Sequence, residues 1–235
     1  GDFAAFRVDP GEGGESLHLN IDIELQEWIH DIFPKSLTGA VIALDPEDGG
    51  ILALYSNPGY DPNDFVSGIS TELWQSLNAD NRNPLFNRVV LGLYPPASTW
   101  KLAVAGIGLD LGVITPDEKM PVACTGSYTF GDRSYRCWDP DGHGFNNLAE
   151  AIGNSCDVYF YQLGLRIGLD PLLRRSTEIG FSRQCGIDLP QESRGIFPSE
   201  REFWERRFGY APREGEVLPL SIGQGPNSQT PLKIA

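Results

Sequence analysis

Ser98 and Lys101 stand three residues apart in Tyr94-Pro95-Pro96-Ala97-Ser98-Thr99-Trp100-Lys101-Leu102-Ala103-Val104-Ala105, where a Pro-rich approach runs into an apolar helical stretch. Residues so spaced lie on one helix face, a turn apart. A serine hydroxyl is a weak nucleophile at neutral pH and needs a base beside it. A lysine held there and partly desolvated can lose its proton and act as that base. The same pattern also fits a serine that only caps a helix next to a solvated lysine. A second set of reactive types is Cys124, Cys137, His143 and Cys156, spaced C-x12-C-x5-H-x12-C. Thiolates and an imidazole suit a closed, tetrahedral, structural Zn²⁺ with no open position for substrate. A Cys124–Cys137 disulfide, natural in an oxidising compartment, and buried free thiols are the alternatives. His143, a fourth ligand of the right kind, favours zinc. Cys185 reads as a buried bystander.

The elements around these residues belong to a globular chain. Its 235 residues include 12 Phe, 8 Tyr and 5 Trp, enough for one substantial core. A net charge of −14 argues against nucleic-acid binding. No apolar run reaches the ~18 residues of a membrane span. Gly1-Asp2-Phe3 has neither an initiator Met nor a leader, as expected of a piece of a longer protein.

Residues 1–16 are Gly- and charge-rich and read as a linker or the end of a preceding module, leaving 17–235 as the main domain. Leu17-His18-Leu19-Asn20-Ile21 alternates as a short strand does. Asp22 is placed to cap an amphipathic helix over Ile23 to Phe33. Two apolar strands, Val41–Asp45 and Ile51–Ser56, flank the turn Pro46-Glu47-Asp48-Gly49-Gly50 and form a hairpin. The helix that Ser98 opens is expected to stop near Gly112. Residues 121–147 carry few helical signals. Helices are expected on both sides of Asn154-Ser155-Cys156-Asp157, then over Leu169 to Gly180 and Glu200 to Phe208. An apolar, strand-like run precedes Ser221-Ile222-Gly223-Gln224-Gly225.

Several segments, in order, carry a resemblance. They are Leu19-Asn20-Ile21-Asp22, Gly39-Ala40-Val41-Ile42-Ala43-Leu44-Asp45-Pro46, Asn57-Pro58-Gly59-Tyr60-Asp61-Pro62-Asn63, Asn87-Arg88, the Ser98 segment, Ser155-Cys156-Asp157, Tyr159-Phe160-Tyr161-Gln162 and Ser221-Ile222-Gly223-Gln224-Gly225. Together they resemble the transpeptidase domain of class B penicillin-binding proteins, most like the elongation-type penicillin-binding protein 2 group. The family's Ser-x-x-Lys falls on Ser98 and Lys101. Its Ser-x-Asn falls on Ser155 and Asp157, with Asp in the Asn position. Its third motif, Lys-Ser/Thr-Gly, does not occur before Ala235.

The resemblance implies an α/β (α+β) fold of the penicillin-binding-protein and serine β-lactamase kind. An antiparallel sheet would be flanked by helices, with its C-terminal strands beyond Ala235. It also implies peptidoglycan D,D-transpeptidation through an acyl-enzyme on Ser98, with Lys101 as base and Ser155 in the proton path. Asp157 would orient both. Stem peptides and β-lactams would be ligands, and a membrane glycosyltransferase of the elongation machinery a partner. The parent protein would be anchored in the bacterial inner membrane and face the periplasm. A β-lactamase-like hydrolase and a non-catalytic β-lactam-sensing or scaffolding domain are the competing readings; the missing third motif is the only support for the latter. A metal on Cys156 would brace the Ser155–Asp157 segment from behind.

Overall fold

The computed structural model describes residues 16–66 and 68–235. The linker expected over 1–16 falls, except for Ser16, outside them. Helix α1 (Ile23–Ile32) begins where expected, with the Asp22 carboxylate accepting the Leu25 N–H. Strands β1 (Gly39–Leu44) and β2 (Ile51–Asn57) pair antiparallel with Ile42 opposite Leu54. Residues alternate across the hairpin. Ala53 and Tyr55, with Val41 and Ala43, pack on Ile29 of α1, while Ala40, Ile42 and Leu54 pack on Val89, Val90 and Leu232. Those last three residues come from α3 (Arg88–Leu91) and α10 (Pro231–Ile234), so the sheet lies between helical layers.

Leu17–Ile21 is not a strand. The Gln26 side-chain amide donates to the Leu54 carbonyl and accepts the Leu54 N–H, each at 2.9 Å, and so occupies the β2 edge that a further strand would use. Leu17 and Leu19 are left exposed.

A 3₁₀ turn, Pro62–Phe65, and α2 (Thr71–Ala79) follow the hairpin. The main core is built on α4 (Lys101–Asp110) and α6 (Asp157–Ile167), with α5 (Leu148–Gly153), α7 (Leu169–Glu178), α8 (Glu202–Phe208) and α9 (Val217–Ser221) around them. Val158, Phe160 and Leu163 of α6 are fully buried, and each large apolar side chain so buried contributes about 1.5–3 kcal/mol. Gly164 lets α9 come close: a Cβ there would lie 2.7 Å from Ser221 Cβ. The apolar run before Ile222 is therefore helical and not strand-like, buried against α6. A short apolar run carries no periodicity that separates the two states.

Strands β3 (Ser127–Phe130) and β4 (Arg133–Arg136) form a second hairpin, which the Gly131-Asp132 pair between Tyr- and Phe-bearing segments could have signalled. Cys185, expected to be buried, is exposed. It lies in a loop whose N–H groups at Cys185 and Gly186 are held by the Glu192 carboxylate. No helix among the described residues is long and apolar enough to cross a membrane.

Burial pushes the Tyr159 phenol up to about 12 and raises that of Tyr161 as well, with nearby Glu118 and Asp157 respectively adding to the shift. Their contribution to stability is fully present below the ordinary phenol value and is lost as pH rises through the folded one. Thermal melts between pH 9 and 12 should show Tm falling steadily. Phenolate absorbance from these two residues should appear only with unfolding. Early phenolate absorbance at constant Tm would contradict this placement.

Candidate active site

Ser98 lies in a 3₁₀ turn, Ala97–Trp100, that leads directly into α4, and Lys101 is the first residue of that helix. Trp100 anchors the turn from below, its ring 4.4 Å from that of Phe181 and 5.4 Å from that of Phe197. Gly223 closes it from the side. Its carbonyl accepts the Ala97 N–H at 3.1 Å, and a Cβ at Gly223 would sit 2.2 Å from the Ala97 oxygen. Ala97 itself has φ +49°, a left-handed strain that surrounding structure must sustain.

Asn147 caps α5 in a reciprocal box with Glu150. After α5 the chain turns tightly into α6: Ser155 N–H donates to Ile152 O and Cys156 N–H to Ala151 O. Ser155 takes φ +50° in this turn, and its side chain and carbonyl both face Lys101. Lys101 Nζ lies 3.2 Å from Ser98 Oγ, 3.0 Å from Ser155 Oγ, 2.8 Å from Ser155 O and 2.7 Å from Asp157 Oδ1. Ser155 Oγ donates to Ser98 Oγ at 2.8 Å. Lys101 is only 2% exposed, and its ammonium sits 5.6 Å from the centre of the Phe160 ring. The four expected residues therefore meet in one hydrogen-bonded cluster. This is a serine next to a buried amine, with a second hydroxyl able to relay a proton between them. A serine that only capped a helix would leave its lysine in solvent.

Cys124, Cys137, His143 and Cys156 also converge, their ligand atoms all within 4.8 Å of one another. Main-chain bonds between Cys124 and Gly144 in both directions, and from Cys137 N–H to Gly126 O, fold the 124–144 loop back on itself. All the cysteines are free thiols, and these three are buried. Burial pushes Cys137 up and Cys156 up to about 12, and the neighbouring cysteines add to both shifts. Such sulfurs resist ionising unless a cation shares the charge.

The donors fit one. His143 Nδ1 lies 3.6 Å from both Cys124 Sγ and Cys137 Sγ, and a tetrahedron with Zn–N of about 2.0 Å and Zn–S of about 2.3 Å has edges of about 3.6 Å. The backbone N–H groups of Asp139 and Asp157 near Cys137, and that of Tyr159 near Cys156, favour the thiolate and offset part of that rise. One residue beyond these sets also reaches the cluster. Trp138 donates its main-chain N–H to Asp157 Oδ2 at 3.1 Å and its indole N–H to Asn154 O at 3.0 Å. No spacing in the sequence announces that contact.

Residues 39–235 match the penicillin binding protein transpeptidase domain family. The chain is 39% identical over 225 residues to the peptidoglycan D,D-transpeptidase MrdA of Salmonella typhimurium, covering 96% of this chain and 36% of that protein. It thus spans about a third of the length of such curated relatives, at 36% or less. Among solved structures, it superposes on Pseudomonas aeruginosa penicillin-binding protein 2 in complex with WCK 5153 with TM-score 0.84 and 40% identity, over 92% of this chain and 49% of that one. It also superposes on Helicobacter pylori penicillin-binding protein 2, in its complex with MreC, with TM-score 0.83 and 37% identity, over 91% and 39% of the two chains.

Proposed function

The chain belongs to the penicillin-binding protein transpeptidase family, and from that membership and the site geometry we propose that it carries the acylating centre of a peptidoglycan D,D-transpeptidase. The observation that carries this reading is the Ser98–Lys101–Ser155–Asp157 cluster, closed by hydrogen bonds of 2.7–3.2 Å. With Lys101 as the neutral amine, Ser98 Oγ attacks the carbonyl of the penultimate D-Ala of a stem peptide while its proton passes to Lys101 Nζ, which becomes the ammonium that Asp157 holds. The Ser98 N–H, in a first turn whose backbone donors have no helical partner, would serve the developing oxyanion. As the C–N bond to the terminal D-Ala breaks, the proton returns through Ser155 Oγ to the leaving amine. Asp157 holds Lys101 and the segment bearing Ser155 in register. The amine of a second stem peptide then takes the acyl group from Ser98, which recovers its proton. A β-lactam undergoes the first step and stays on Ser98.

We further propose that Cys124, Cys137, His143 and Cys156 hold a Zn²⁺ whose role is structural, since four protein ligands leave no position for substrate. In the whole protein this domain would work at the periplasmic face of the inner membrane during cell elongation. It would be membrane-anchored and would work beside a membrane glycosyltransferase. Similarity to a penicillin-binding protein 2 solved with MreC supports that setting.

Native intact-mass measurement of the full-length protein incubated with benzylpenicillin tests the core of the proposal. A lasting adduct of one penicillin, located on the peptide that contains Ser98, is the expected result. Rapid turnover of penicillin to penicilloate would point to a hydrolase. No adduct at all, or an adduct elsewhere, would remove the acylating role.

A further inference from the structure

Asp157 has a second tie besides Lys101. Its Oδ1 takes the Lys101 ammonium at 2.7 Å, and its Oδ2 takes the Trp138 main-chain N–H at 3.1 Å. The Trp138 side chain makes a further contact. Its indole N–H donates to Asn154 O at 3.0 Å, and the other end of the Asn154–Ser155 peptide is held by Ser155 N–H on Ile152 O, also at 3.0 Å.

That peptide plane sets the φ of +50° at Ser155, an unfavourable value for a residue with a Cβ that persists only when contacts over-determine it. It also sets the direction of Ser155 O and Oγ, both bonded to Lys101. The indole is a poor candidate for a core contact, since Trp138 is 64% exposed. Its ring rests on the His143 imidazole at 5.4 Å. A large aromatic side chain thus stays in solvent while its single donor points inward at a catalytic turn.

We propose that Trp138 is a positioning residue of the acyl-transfer site, holding the Asp157 carboxylate through its main-chain N–H and the Asn154–Ser155 peptide through its indole N–H. The proposal rests on the acylating role of Ser98. It makes the Cys–His loop the part of the fold that sets where Ser155 and Asp157 stand beside Lys101. Trp138 acts through these residues: its hydrogen bonds run to Asp157 and Asn154, and none runs to Ser98, Lys101 or Ser155 Oγ.

The test uses the full-length protein and Trp138→Phe, which keeps the main-chain N–H and an aromatic ring but lacks the indole donor. The saturating acylation rate constant with benzylpenicillin should fall roughly 10-fold, as expected for a lost hydrogen bond at a pre-set geometry. Pre-covalent affinity should stay within about two-fold, and metal content and Tm should match the wild type, because an exposed ring adds little to the core. In a Ser155→Ala background, followed over longer times, the same change should cost clearly less than in the wild type, since the part of its route that runs through Ser155 Oγ is already gone. An unchanged rate constant would overturn the proposal. So would a full repeat of the loss in the Ser155→Ala background, or a loss matched by falls in Tm and metal content. Failure of the wild type to acylate on Ser98 would remove both this inference and the transpeptidase reading. Failure of the Trp138 variants alone would remove only this one.

Discussion

Lys101→Met will leave Ser98 in place and reduce its acylation by penicillin about 10³-fold or more. Lys101 is 2% exposed, and its Nζ has Ser98 Oγ at 3.2 Å. No other amine contacts Ser98 Oγ among the hydrogen bonds of the described residues. Methionine fills a similar volume but takes no proton. Lys101→Arg should fail nearly as badly, since a guanidinium keeps its charge and does not act as a base at neutral pH.

The folding cost can be separated from the chemical one. Removing the ammonium leaves the Asp157 carboxylate, 13% exposed, without its charged partner, and breaking a buried pair on one side costs about 3 kcal/mol or more. The double change Lys101→Met with Asp157→Leu should recover most of that stability and none of the acylation. Urea midpoints and penicillin acylation rates measured on the same three proteins check both parts. Acylation of Lys101→Met within about 10-fold of wild type would remove Lys101 as the base, because general-base help is worth more than that.

The second large effect is expected from the Cys–His loop. Stripping metal with a chelator, or substituting Cys156→Ser, should lower Tm by about 10 °C or more. Structural zinc contributes several kcal/mol even where part of the site is preformed, and each kcal/mol is worth about 2–4 °C in a chain of this size. Acylation should fall with it. Cys156 is the residue between Ser155 and Asp157, and its loss frees the end of the turn that carries both. Native mass should lose one zinc per chain on chelation. A Tm that ignores the chelator but drops on reduction would identify a Cys124–Cys137 disulfide instead. A Tm indifferent to both would leave buried thiols.

Much of this is legible in the sequence, for reasons that differ by residue. The Asp22 cap, the Gly39–Asn57 hairpin and the helices at 148–153, 157–167 and 169–178 follow from local rules, in which a cap, a turn and a periodicity suffice. The same rules mislead at two places. Leu17–Ile21 alternates correctly, yet the Gln26 amide occupies the edge that a strand there would need. Val217–Leu220 is an unbroken apolar run packed against α6, and such a run lacks the pattern that distinguishes helix from strand. The β3–β4 hairpin was within reach of its Gly131-Asp132 turn, but the cysteines and aromatics around it masked the alternation.

The sequence by itself set Ser98 and Lys101 one helical turn apart and singled out three cysteines and a histidine of the types that ligate zinc. A three-residue spacing on a helical turn is geometry that the backbone enforces locally, and thiolate and imidazole donors define a ligand set whatever the fold. Order of motifs added Ser155 and Asp157 by family resemblance. Tertiary structure alone decided that those two residues, 54 and 56 positions from Lys101, reach its amine from the start of another helix. It also decided that the three thiols and the His143 imidazole meet, and that the peptide after Cys137 supports the Asp157 carboxylate. These contacts depend on α6 packing against α4 and on the 124–144 loop folding back beneath it. Such long-range closure comes from burial of a shared core, which no local spacing encodes.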